Sequence, residues 1–216
     1  MRQTLILAMM ILFSVSTAYS AEEGMQMKKV QESAVRSMGE FSSLVMKQKN
    51  YREMGFESAD DLKRMALGEP LQSFTVRLDH LQKYEKGMNP EELISGGRHY
   101  MYPLQVDKQV RSSLAVAEVK GEWKAVSFGS PNLIKMLSNT RMKSAEMSGA
   151  VPSSYFVVEI PSLNLFMLGN RIEGKLMLSP VSDNPKLGFK EGTPMNAEDV
   201  FLALVPLARA HDGLPR

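Results

Sequence analysis

The residues that could do chemistry are few and far apart. The chain has three histidines, His80, His99 and His211, and no cysteine. Without a thiol it cannot be a cysteine-nucleophile enzyme, an iron–sulfur carrier or a cysteine-ligated zinc protein. No two histidines stand at a spacing that presets a metal site, so zinc would need all three assembled by the fold. Ser130, in "FGSPN", is the nearest approach to a presented nucleophile. There is no G-x-S-x-G, and a serine directly before Pro131 reads as a helix cap. The acidic pairs Asp60–Asp61 and Glu91–Glu92 open helical turns, where carboxylates face the positive end of the dipole. Methionine is in excess, with 17 in all. Thioethers suit copper(I), yet no dense Met/His cluster occurs, and methionine fills irregular cores.

One stretch concentrates polar aromatics: "GGRHYMYPLQVDK", residues 96–108. Read as a strand, it places Tyr100, Tyr102, Leu104 and Val106 on one face and His99 with Met101 on the other. The pleat therefore divides the cluster. Pro103 lacks the ladder N–H, which points to an edge strand, a bulge or a non-bonded position. We expect a strand at or near an edge. Tyrosine and tryptophan favour half-wet sites, so His99, Tyr100, Tyr102 and Trp123 are the candidate binding residues.

The surrounding elements must position these side chains. Met27, Val30, Ala34, Met38, Phe41 and Val45 follow helical spacing, predicting an amphipathic helix over 25–48. It docks either on its own sheet or on another subunit. A short helix capped by Ser58 is predicted to run on to Gly68 and Pro70. Residues 74–78 alternate as a strand. "NPEEL" (89–93) starts a helix that Gly96 and Gly97 would stop. Strands at 100–106, 110–119 and 123–128 then form a meander, with turns at Asp107–Lys108 and at "KGE" around Gly121. A helix over 130–147 follows, burying Leu133, Ile134 and Leu137. Strands at 155–160, 163–168 and 175–181 make a second meander, punctuated by Pro161, Gly169–Asn170 and Gly174. Residues 183–194 form a long polar loop. A last helix (196–213), capped by Asn196, contains Pro206, which should kink it or end its regular part. The order of elements predicts an α+β fold: antiparallel meanders flanked by an N-terminal amphipathic helix and a C-terminal helix. No fixed-period repeat is visible.

The chain opens with Arg2, an apolar run from Leu5 to Val15, and small residues Ala18 and Ser20. That is the pattern of a secretory signal peptide cut after Ser20. Cleavage would leave 196 of 216 residues and no integral membrane span. The expected organisation is a signal peptide (1–20), the amphipathic helix (21–50), an α+β core (51–150), and C-terminal strands and helix (151–216) packed with it. Charges of both signs are interspersed, 26 basic against 24 acidic, and no basic patch suggests nucleic acid. No glycine-rich strand–helix turn cradles a nucleotide, so no cofactor is expected. The expectation is an exported, non-catalytic binding or interaction module, in the periplasm or secreted, with a partner at an edge strand or on the 25–48 helix. The competing readings are a periplasmic hydrolase with a fold-assembled His/acid site and an envelope assembly factor.

Overall fold

The computed structural model describes residues 2–211, with side chains from Gly24 onward. The proposed cleavage point at Ser20 and the predicted helix end at 212–213 lie outside these described side chains and residues. Helix α1 (Arg2–Gln48) leads into a single turn, α2 (Asp61–Arg64). Strands β1 (Ala66–Leu67) and β2 (Leu71–Val76), one turn α3 (Leu78–Leu81), and strands β3 (Ile94–Val106), β4 (Gln109–Val119) and β5 (Glu122–Gly129) follow. Then come α4 (Pro131–Ser148), β6 (Phe156–Ile160), β7 (Leu165–Ile172), β8 (Lys175–Pro180), β9 (Met195–Asn196) and α5 (Ala197–Ala210).

The fold is α+β, with one large, mostly antiparallel sheet in the order β5-β4-β3-β2-β6-β7-β8-β9, and β1 paired to β3. The two meanders run outward from a parallel central pair, β2 and β6. Each meander ends in a helix, α4 or α5, so the topology repeats although no sequence period does. Differing strand lengths, 13 residues in β3 against 8 in β7, hide the repetition from any fixed-period search.

Side-chain alternation sorts the layers. Tyr100, Tyr102, Leu104, Leu114 and Val116 pack under Val30, Ala34, Phe41 and Val45 of α1. Phe156, Val158 and Ile160 of β6 pack under Val200, Phe201 and Leu204 of α5. The opposite residues of the same strands, Met101 of β3 and Val157 of β6, pack with Leu137 and Ala145 of α4. Helices α1 and α5 thus cover one face over opposite halves, and α4 covers the other. Of α1, residues Lys28, Lys29, Glu32, Arg36 and Glu40 stay exposed. The predicted stripe docks on the chain's own sheet.

Several local expectations are corrected. The helix after Ser58 lasts one turn, because Met65 is extended and residues 66–67 pair with β3. Its capping box is nonetheless present. Ser58 Oγ accepts from Asp61 N, and Asp61 Oδ2 accepts from the Glu57 and Ser58 amides at 2.9 and 3.2 Å. "NPEEL" is one 3-10 turn, with Asn89 Oδ1 accepting from Glu91 N. Gly96 and Gly97 stop nothing; they lie inside β3 at φ of 106° and 84°, and a Cβ on Gly97 would meet the Phe74 ring at 2.9 Å. Gly169–Asn170 is likewise internal, in β7, because the Phe156 ring lies over Gly169. The turn falls at Glu173–Gly174, both with positive φ. Ser130 does not cap α4 through its side chain; its backbone is left-handed. Pro206 sits on the exposed side of α5, and the helix continues past it to Ala210. The polar loop is pinned by buried Phe189 and by Asp183, whose Oδ1 accepts from Glu191 N. Both hairpin turns of the first meander stand as read, with positive φ at Asp107–Lys108 and at Lys120–Gly121.

Candidate functional site

Strand β3 is not at an edge. It lies between β4 and β2, with β1 beyond them along its length. Pro103 is tolerated there for a reason that only the pairing reveals. Its carbonyl accepts from Gly68 N at 2.7 Å. In an antiparallel ladder a residue's C=O and N–H point the same way. The missing donor therefore faces the side on which β1 gives way to β2, where the ladder is already interrupted.

The pleat separates the candidate residues as the sequence implied. His99 lies opposite Ala117 of β4 and is half-buried. It makes no hydrogen bond to a serine or carboxylate among the described residues. Burial holds its imidazole below the ordinary value. His80 sits on α3, 3.9 Å from Asp79, and His211 ends α5. Among the described residues, no three His, Asp or Glu side chains are grouped as a metal would require.

On the other face Tyr102 is fully buried and Tyr100 nearly so. Among the described residues the Tyr102 hydroxyl has no hydrogen-bond partner in its apolar surroundings. Burial, with a smaller contribution from Tyr100, pushes its pKa up to about 12. Tyr100 meets the Trp123 indole edge-on, with ring centroids 5.6 Å apart. Tyr100 and Tyr102 are thus core residues; His99 is half-buried on the other face, and of the four candidates Trp123 lines the groove between α1 and β5.

The groove measures about 740 Å³. Trp123, Ala125 and Phe128 form its apolar floor, and Lys29, Arg36 and Glu40 rise from the helix. Among the described residues strand β5 is the last in the sheet, so one side of its backbone has no strand neighbour. Two features blunt this edge, as exposed strands require. Ser33 Oγ donates to the Trp123 carbonyl at 2.8 Å. Further along, the register shifts between Ala115 and Val116, leaving Val126 unpaired and half exposed. Phe41 anchors the helix here, stacked on Phe128 at 5.1 Å. At the hairpin tip Lys124 pairs with Glu122 at 2.6 Å. Of these groove residues the sequence singles out Trp123 alone; Ser33, Arg36 and Lys29 carry no local signal that joins them to it. They join the site only through a contact spanning 90 residues.

Among the described residues, no helix is long and apolar enough to cross a membrane. No family model, no curated protein and no solved structure matches the chain.

Proposed function

We propose that the chain is an exported, non-catalytic binding or protein-interaction module, freed from its leader after Ser20 and working in the periplasm or outside a bacterial cell. The partner segment lies in the α1–β5 groove. The observation that carries this reading is a half-buried tryptophan on the floor of an open groove, beside the unpaired side of the last strand. Tryptophan offers large apolar area at small entropic cost and is favoured at interface centres. An extended segment with one apolar side chain between polar ones fits an apolar floor with charged walls of both signs. The leader pattern supports export, and a cysteine-free chain relies on packing alone in an oxidising compartment.

The test is site-specific photo-crosslinking in the native cell. A photoreactive phenylalanine replaces Arg36 on the groove wall in one strain and Val151, an exposed residue of the α4–β6 connection, in another. The proposal expects a discrete adduct from position 36 that is lost in a Trp123→Ala background, and none from position 151. Equal labelling at both positions, or none at position 36, contradicts it. Retention of residues 1–20 in the protein recovered from the envelope contradicts the export reading.

A further inference from the structure

A second cavity lies on the opposite face of the sheet, between α4 and the β3–β4 hairpin. It measures about 470 Å³, within the range of small-ligand pockets. Nine residues line it, among them Lys108, Lys135 and Arg141, and none of the nine is acidic. Lys108 projects from the tight turn at φ 66°, and Lys135 from the second turn of α4. Neither lysine forms an ion pair among the described residues.

Arg141 makes this more than a basic surface. It is 7% exposed. Among the described residues its only carboxylate is Glu69, at 3.9 Å, and its one hydrogen bond runs to the Glu69 carbonyl at 3.4 Å, the long end of the range. Among the described residues its Nε has no partner, and neither does the Oγ of Ser138, 8% exposed on the same helix and lining the same cavity. A buried guanidinium with open donors is costly unless an anion meets it. Arginine presents its donors in a planar fork that suits an oxyanion. Asn139 and Gln105 add amide donors at the rim. The lining is one-sided: three cations, amides and a hydroxyl, while the one carboxylate near Arg141, that of Glu69 at 3.9 Å, lies outside the lining.

We propose that this pocket binds a small soluble molecule through an oxyanion, a phosphate or carboxylate group, with Arg141 and Ser138 at its base and Lys108 and Lys135 at its mouth. The inference is independent of the α1–β5 groove. It is tested by titrating the isotope-labelled protein with inorganic phosphate and, separately, with citrate, following amide signals and the Arg141 Nε–H. Sodium chloride at matched ionic strength is the control. The expected result is saturable shifts confined to residues 105–110 and 135–142 with at least one of the two anions. The double variant Lys108→Ala/Lys135→Ala should weaken binding by at least about tenfold, the scale of one lost charge-assisted contact. Arg141→Met should abolish it, and should that variant not fold, the double-lysine variant carries the test. Absence of saturation with both anions, equal shifts from chloride, or unchanged affinity in the double-lysine variant overturns the proposal.

Discussion

Replacing Phe41 by alanine probes whether α1 is held on the sheet. Phe41 is 1% exposed, stacked on Phe128 with planes 13° apart and tilted against Phe56 at 6.0 Å. Truncating a buried phenylalanine costs about 3–5 kcal/mol, through lost transfer energy and the cavity left behind. That is a large share of the roughly 5–15 kcal/mol that holds a domain together. With a urea dependence near 2 kcal/mol per molar, the midpoint should fall by about 2 M. The assay is urea unfolding followed by far-UV circular dichroism and by the emission of Trp123, the sole tryptophan. Leu44, three residues on along the same helix and 44% exposed, is the control. Leu44→Ala should stay within about 0.5 kcal/mol of the parent. Equal midpoints for the two variants would refute the docking, since a helix free of the sheet would not distinguish its faces.

Tyr102→Phe should raise stability by about 1 kcal/mol, because it removes a buried hydroxyl without a partner. Tyr84→Phe should lower stability by a similar amount, because that hydroxyl donates to the Met88 carbonyl at 3.0 Å; thermal unfolding of both variants reads the contrast. Gly169→Ala should cost about 1–3 kcal/mol, since its Cβ would stand 2.3 Å from the Phe156 ring, itself covered by the Arg171 guanidinium at 4.9 Å. His99 is held neutral by burial, so below its ordinary value of 6.5 the unfolded chain binds the proton more readily. Stability should therefore be full above that pH and fall on acidification through it; His99→Gln should lose this dependence in pH-resolved urea titrations.

What could be read from the sequence was local. The Asp107–Lys108 and Lys120–Gly121 hairpins, the caps at Asn89 and Asn196, and the α1 stripe all depend on residues within a few positions of one another. The errors share a cause: a local signal with a distant explanation. Gly169 looked like a turn but makes room for an aromatic ring 13 positions earlier. Gly96 and Gly97 looked like a stop but continue the strand with positive φ, and Gly97 yields to the Phe74 side chain across the ladder. Pro103 looked like an edge marker, yet an interior strand accepts it opposite a break between two partners. The pleat correctly divided His99 from Tyr100 and Tyr102. It could not say that Trp123, on another strand, would meet Ser33 of the first helix, or that Arg141 would be buried beside two lysines from separate elements.

The groove exists only if α1 lies against β5 of its own chain. The chain lacks cysteine, so Arg36→Cys and Lys124→Cys can carry two spin labels with no background to remove. Double electron–electron resonance between them should give one narrow distance distribution, unchanged when labelled protein is diluted into unlabelled. A broad distribution, or one that vanishes on dilution, would contradict this docking, showing the helix to be undocked or paired with another molecule.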